Sequence, residues 1–382
     1  MPAEFCPHCM QTLSPGELFC PRCGREADQQ AAPYQLPIGT VLRTDKGHVF
    51  LFGEAKGGGG FGLTYIAREL SSGKIVAIKE YFPGNCQPQR RQDLSVVPTT
   101  AMQDTYRRGM KSFLSEASML QAVRDIPSIV HVMDYFEANQ TAYMVMEYLD
   151  GTTLEDLLKR QPRLEPDSLL RKTLPLMRDL ERLHAAGVVH RDIAPDNIML
   201  MPDGSLTLLD FGCARSMEDG KAMTVVLKPG FAPVEQYQTL GQGGYTDVYA
   251  LCATLYFCLT GQTPPPSPVR LTDVFDGRPD PLEPPSALGA ALSPEQEKLL
   301  LWGLAIQPKD RPQSMVQLAD ALEAALPPRT TALPGDPGER REDGGDGVPS
   351  KLRLFWQRYG LKLLLAAAGV VILILTILLL AE

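Results

Sequence analysis

Gly57-Gly58-Gly59-Gly60-Phe61-Gly62 runs straight into Leu63-Thr64-Tyr65-Ile66-Ala67, and the reading of that junction decides the fold. The glycines contain G-x-G-x-x-G, a spacing shared by several phosphate-binding architectures. A Walker A loop needs Lys after its last glycine, where Leu63 stands. A dinucleotide fingerprint opens a helix, whereas the residues after Gly62 predict a strand. Ser71-Ser72-Gly73 then turns the chain into a second strand, Ile75-Val76-Ala77-Ile78-Lys79. The glycines therefore belong to a hairpin whose pliable backbone can close over phosphates.

Outward from the hairpin, residues 38–326 alternate strand-like and helix-like patterns without another obvious linker, enough for one large core in two lobes. From Val76-Ala77-Ile78-Lys79 onward the chain resembles eukaryotic-like protein kinases, with later motifs in the expected order. Phe113-Leu114-Ser115-Glu116-Ala117 supplies a helical glutamate, and Tyr143-Met144-Val145-Met146-Glu147-Tyr148-Leu149 resembles the strand and hinge between the lobes. His190-Arg191-Asp192-Ile193-Ala194-Pro195-Asp196-Asn197 resembles the catalytic loop, and Asp210-Phe211-Gly212 the metal-binding motif.

The resemblance implies a fold and a site. The fold is α+β and bilobal, with a β-rich N-lobe and a mainly helical C-lobe. Gly57, Gly59, Gly62, Thr64 and Ala77 would surround ATP. Lys79 would contact the α/β-phosphates and pair with Glu116. Met146 would be the gatekeeper, and backbone groups of Glu147 and Leu149 would receive the adenine. Asp192 would orient the substrate hydroxyl and accept its proton, while Asn197 and Asp210 would hold Mg²⁺ (or Mn²⁺). Leu120, Val132, His190 and Phe211 would stack as a spine, Asp247 would anchor the catalytic loop, and Arg311 would pair with Glu235. The longer segment from Tyr81 to Thr105, opening Lys79-Glu80-Tyr81-Phe82-Pro83, looks like a bacterial branch of the family.

Two positions depart from the Ser/Thr pattern. Ala194 stands where such kinases carry a lysine for the γ-phosphate. Lys228, in Lys228-Pro229-Gly230-Phe231-Ala232-Pro233-Val234-Glu235, occupies the position of a threonine that lies beside that lysine in the family. We expect the Lys228 ammonium to replace the missing charge; the bland alternative is a solvent-facing loop lysine. Thr224 and Ser216, between Asp210 and Glu235, are candidate phosphate acceptors.

At the other end of the chain, Cys6-Pro-His-Cys9 and Cys20-Pro-Arg-Cys23 are two C-x-x-C pairs. Each pair can aim two sulfurs at one ion, and together they complete a four-thiolate Zn²⁺ site with no open position, hence structural. A redox dithiol would need only one pair, on a thioredoxin-like scaffold. Chance clustering is the other competing reading. His8 reads as a spacer between ligands. The segment resembles short bacterial zinc ribbons, which residues 1–26 would form, with residues 27–37 as a polar linker.

Residues 327–350 are rich in Pro, Gly and mixed charge, and predict a flexible tether. Residues 363–381 form an uncharged run of nineteen residues, about 28 Å long as a helix, close to the ~30 Å hydrocarbon core. Lys351, Arg353, Arg358 and Lys362 make residues 351–362 a basic flank, with Trp356 and Tyr359 as interfacial aromatics. The positive-inside rule then puts the N-terminal bulk in the cytoplasm, on a single-pass C-terminal transmembrane anchor.

With 37 Lys+Arg against 45 Asp+Glu, the net charge of −8 disfavours nucleic acid as a partner. It divides into +3 over residues 351–382 (four basic, one acidic) and −11 over the remainder. The reading is a membrane-tethered Ser/Thr kinase using ATP, with protein substrates. A protein partner at the ribbon and a homodimer are compatible with it. The rival reading is a catalytically weak pseudokinase acting as a nucleotide-binding scaffold, which Ala194 favours and Lys79, Asp192, Asn197 and Asp210 oppose.

Overall fold

The computed structural model describes residues 5–27, 29–59, 62–210, 215–216, 227–238 and 241–328. Gly60, Phe61, Phe211, Gly212 and Thr224 lie outside the described residues, as do most of the expected tether, the basic flank and the apolar run at 363–381. Among the described residues, no helix is long and apolar enough to cross a membrane. Met1–Pro327 form one compact unit; the second, Pro328–Glu382, falls almost wholly outside the description.

The N-lobe is a six-stranded antiparallel sheet in the order β1-β2-β3-β4-β8-β7, with β1 Val41–Arg43, β2 Val49–Gly59, β3 Gly62–Glu69, β4 Ile75–Tyr81, β7 Val132–Ala138 and β8 Thr141–Glu147. The expected glycine hairpin is present, since Gly57 pairs with Thr64 and Gly59 with Gly62 across β2 and β3. Register sorts the side chains by face, because directly opposed residues point the same way. Tyr65, Ile78 and Val145 align across β3, β4 and β8 and are buried in one cluster with Phe52 and Tyr143. The alternate positions Thr64, Lys79 and Met144 align on the opposite face, as do Ile66, Ala77 and Met146.

The segment from Tyr81 to Thr105 folds into two short 3₁₀ turns and a small ribbon, β5 Gln89–Arg90 with β6 Val96–Val97. The helix α1 follows, Gln103–Ala122, burying Phe113, Glu116, Ala117 and Leu120 on one face at helical spacing. Leu36, expected within the linker over 27–37, is instead fully buried, and its N–H donates to the Tyr65 hydroxyl at 3.0 Å. A single large apolar residue in a polar stretch escapes a composition reading, yet it finds a place beneath the sheet.

The C-lobe is helical as expected. It contains α2 Leu154–Arg160, α3 Pro166–Ala185, α4 Val234–Gln238, α5 Gly244–Thr260, α6 Ser267–Phe275, α7 Pro294–Gly303 and α8 Met315–Ala325. Helix starts follow local chemistry. Thr153 caps α2, Glu165 caps α3 ahead of Pro166, and Ser293 with Gln296 forms a reciprocal capping box on α7. Helix α5 is apolar almost all round, and it is buried almost all round in the lobe's centre. Short strands form two further small sheets, β9 Thr152–Thr153, β11 Ile198–Leu200 and β12 Leu206–Leu208 in the order β12-β11-β9, and β10 Val188–Val189 with β13 Arg215–Ser216.

Candidate active site

The hairpin of β11 and β12 sets the site. Ile198 pairs with Leu208, so Asn197, just before β11, and Asp210, just after β12, emerge at the same end. The Leu209 N–H donates to the Asn197 carbonyl at 2.8 Å and locks the two together. Asn197 Nδ2 donates at 2.8 Å to both the carbonyl and Oδ2 of Asp192, which leaves its side-chain oxygen free of that task. From the other lobe, Lys79 Nζ donates to Asp210 Oδ1 across the cleft. Four residues from three separate stretches of the chain thus converge, and Glu116 is buried on α1 beside the sheet that carries Lys79.

The catalytic-loop segment is held from below by a buried carboxylate. Asp247 Oδ2 accepts from the His190 N–H and Oδ1 from the Arg191 N–H, each at 2.8 Å, and His184 Nε2 lies 2.8 Å from Oδ2. Burial alone would raise the Asp247 carboxyl, yet His184, His190 and the Arg191 amide hold it below the usual range. The clamp supports Arg191 at φ +68°, a left-handed conformation that a non-glycine residue adopts only when its surroundings enforce it. The expected anchor role of Asp247 matches this geometry. So does the Arg311–Glu235 pair, which is buried and bidentate at 2.7 and 3.1 Å.

Lys228 is partly exposed, and its ammonium is turned onto two carboxylates of the catalytic loop. Its ammonium lies 2.7 and 2.8 Å from the two Asp196 oxygens and 3.3 Å from Asp192 Oδ1. Ala194, between Asp192 and Asp196 in the chain, is buried, and its side chain brings no polar atom. Burial would lower the Lys228 ammonium, but Asp192 and Asp196 outweigh it and hold it above its ordinary value, so it stays charged. Burial pushes the Asp192 carboxyl up to about 6, opposed by Lys228 and assisted by Asp210. A carboxylate so poised can accept a proton near neutral pH.

The convergence of Lys79, Asp192, Asn197 and Asp210 between a sheet lobe and a helical lobe agrees with sequence comparison. The protein kinase domain model matches residues 52–322. The chain belongs to the protein kinase family. Its kinase domain is 31% identical over 283 residues to a probable serine/threonine-protein kinase of Streptomyces coelicolor, covering 72% of this chain and 39% of that protein. It is also 31% identical over 277 residues to the serine/threonine-protein kinase PknB of Mycobacterium tuberculosis, covering 70% of this chain and 41% of PknB. The chain thus aligns with about two-fifths of the length of these relatives. A solved structure titled PpkA-294 apo form superposes with a TM-score of 0.65 at 35% identity, covering 76% of this chain and 99% of that one.

Around the kinase domain's cleft, Thr64, Ala77, Lys79 and Met146 share the sheet face defined by the β3, β4 and β8 register. A side chain at Gly62 would collide with the Glu80 carbonyl, so the end of the glycine loop requires glycine for close strand approach. Glu147 is tied to His131 by backbone and side chain, its N–H donating to the His131 carbonyl at 3.0 Å. Leu149 follows β8 and is half-buried. Of the expected spine, Leu120, Val132 and His190 are buried. Ser216 pairs with Val188 in the β10–β13 ladder.

The four N-terminal cysteines converge as well. Their sulfurs all lie within 4.8 Å of one another, with Cys6–Cys23 and Cys9–Cys20 each at 3.6 Å. A tetrahedron of Zn–S bonds near 2.3 Å has sulfur–sulfur edges of about 3.8 Å, so the donor set and spacing fit Zn²⁺. His8 stays out of the cluster. Its Nδ1 lies 2.7 Å from Glu54 Oε2 and its Nε2 2.9 Å from the Glu26 carbonyl.

Two functional contacts escaped sequence reasoning. Asp196, read only as a mark of the Ser/Thr loop, is the principal partner of Lys228. Glu80 is fully buried, pairing with Arg90 at 2.6 Å and receiving the Tyr65 and Tyr143 hydroxyls at 3.0 and 2.8 Å. Both partnerships span strands or loops, and only Glu80's alternation with Ile78 hinted that it faced the sheet core.

Proposed function

We propose that this kinase domain transfers the γ-phosphoryl group of ATP to Ser or Thr hydroxyls of protein substrates. Asp192 accepts the hydroxyl proton, Lys79 steadies the α/β-phosphates, and the backbone of Glu147 and Leu149 receives the adenine. The glycines at 57, 59 and 62 cover the phosphates. Asn197 and Asp210 offer hard oxygen ligands suited to Mg²⁺, which when bound neutralises charge on the β- and γ-phosphates. Lys228 serves the γ-phosphate in place of the lysine absent at Ala194. What carries the reading is the convergence of Asp192, Asn197 and Asp210 at one end of the β11–β12 hairpin, opposite Lys79. Autophosphorylation with Mg-ATP tests it, with Asp210→Ala as the control: labelling of the wild type lost in the variant supports transfer, and no labelling of either favours the scaffold reading.

The finer organisation belongs to the same proposal. The cysteine cluster binds a structural Zn²⁺, supported by its spacing and its four thiols. Residues 363–381 anchor the chain in the cytoplasmic membrane, with the kinase domain in the cytoplasm, supported by the uncharged run and its basic flank. Fractionation of cells expressing the full chain and a chain ending at Ser350 tests the anchor; both in the soluble fraction would sink it.

A further inference from the structure

The cysteine ribbon sits on the strand that leads into the glycine loop. The Glu54 N–H donates to the Pro7 carbonyl at 2.9 Å, a backbone bond between β2 and the first cysteine knuckle. Beside it, a Cβ at Gly53 would stand 2.5 Å from the Pro7 oxygen and 2.8 Å from Met10 Sδ. Only glycine admits the ribbon so close. Met10 is correspondingly buried, 1% exposed.

Polar contacts surround this seat. His8 Nδ1 meets Glu54 Oε2, and Arg25 donates to Glu54 Oε1 at 3.2 Å. Lys56 Nζ donates to the His8 carbonyl and, at 2.7 Å, to Glu54 Oε1. From β3, Arg68 donates to the Met10 carbonyl at 3.0 Å, with its guanidinium 5.1 Å from the Phe5 ring centre. Opposite-charge Lys56 and Arg25 satisfy Glu54 where it is largely removed from water, and desolvation strengthens such contacts.

The seat coincides with an irregularity. The β2–β3 register shifts between Phe52 and Ala55 and again between Ala55 and Gly57. Bulged ladders lose regular strand bonds, so their conformation depends on what packs against them. Here the ribbon supplies the packing at Gly53, Glu54 and Lys56, immediately before Gly57.

We propose that the metal-held ribbon is a positioning element of the nucleotide site, with Gly53 and Glu54 as its seat and His8 and Lys56 as its latch, setting the pose of the glycine loop over ATP. The proposal rests on the four-thiolate metal reading above. In effect, the strand end that leads into Gly57 is pre-organised by a second, metal-dependent fold, so its ordering entropy is spent before ATP arrives.

The experiment uses the full chain and three variants, Gly53→Ala, His8→Ala and His8→Asn, the last keeping an amide donor near the Nδ1 position. Bound zinc is measured by elemental analysis, affinity for a non-hydrolysable ATP analogue with Mg²⁺ by calorimetry, and amide exchange over residues 54–59 by mass spectrometry. The expected result is zinc retained in all, a dissociation constant raised about 5- to 20-fold in Gly53→Ala and His8→Ala, faster exchange confined to residues 54–59, and recovery in His8→Asn. Zinc retained with unchanged affinity in both disruptive variants overturns the positioning role while leaving the metal reading standing. A wild-type chain that takes up no zinc overturns the metal reading and the proposal with it, whereas one that binds zinc yet binds nucleotide equally well when stripped of it overturns the proposal alone.

Discussion

The Lys228 ammonium lies 3.3 Å from Asp192 Oδ1, joining the end of the activation segment to the expected catalytic base. Asp196 holds the same ammonium with both carboxylate oxygens. A cation so placed lowers the Asp192 carboxyl and offers positive charge where Ala194 has none.

Lys228→Ala should therefore lower kcat about 10- to 100-fold, the scale of losing one stabilising group at a developing charge. Restoring the charge from the other side, in the double variant Ala194→Lys with Lys228→Thr, should recover most of it. Steady-state phosphorylation of a generic protein substrate checks both; wild-type turnover in Lys228→Ala removes the assignment.

The pH profile follows from Asp192. Its carboxyl, raised by burial to about 6, must be ionised to accept a proton. The kcat/KM value should fall as pH drops through about 6 and level off above it. Removing the Lys228 charge takes away a lowering influence, so in Lys228→Ala the acid limb should shift to higher pH. A shift to lower pH would contradict the geometry.

Stability should also depend on pH through His190. Burial pushes this imidazole down to about 4 from an ordinary value of 6.5. A depressed histidine favours the folded state fully above its unfolded value, and that contribution drains away as pH falls from 6.5 towards 4. The loss amounts to about 3 kcal/mol at 1.36 kcal/mol per pH unit. Urea unfolding of the wild type and of His190→Asn at pH 7 and pH 4.5 measures it; the variant should show the smaller difference.

Arg311→Met should destabilise the kinase domain by about 3–5 kcal/mol, because it strands the Glu235 carboxylate in the interior. The guanidinium also donates to the Ala305 and Ile306 carbonyls at 2.7 Å and to the Tyr245 carbonyl at 3.3 Å, so the loss is spread over four partners. A second substitution, Glu235→Gln, should recover part of the stability by removing the stranded charge. Denaturant midpoints at constant slope decide the matter.

Chelation of zinc should release one metal per chain and loosen the ribbon. Burial holds the Cys6 thiol at about 12, so a free thiolate is costly there, and the ion supplies the compensating charge. Competition with a chromogenic chelator, with Cys20→Ser as a ligand-deficient control, counts the metal.

Much of this molecule was legible in its residues. The hairpin around the glycines, the lysine strand, the acid–Asn–acid set and the paired C-x-x-C knuckles are local patterns, and each is a chemical requirement expressed over a few neighbouring positions. Asp247 and Arg311 were readable because their segments sit in recognisable order, and their contacts agree. The burial of Leu36 was not legible, because one apolar side chain in a polar stretch carries no period to read.

What adjacent residues can dictate is local: strand alternation, helix caps, knuckle spacing and the order of motifs along the chain. Partnerships across the fold need the third dimension. That Lys228 reaches Asp196 as well as Asp192, that Arg90 and two tyrosines enclose Glu80, and that Pro7 presses on Gly53 depend on where separate segments pack. Hydrogen bonds and ion pairs act over a few ångströms, while the residues that make these lie ten or more positions apart. Gly53 shows the difference most plainly, since its missing side chain has a reason only when the ribbon lies against it.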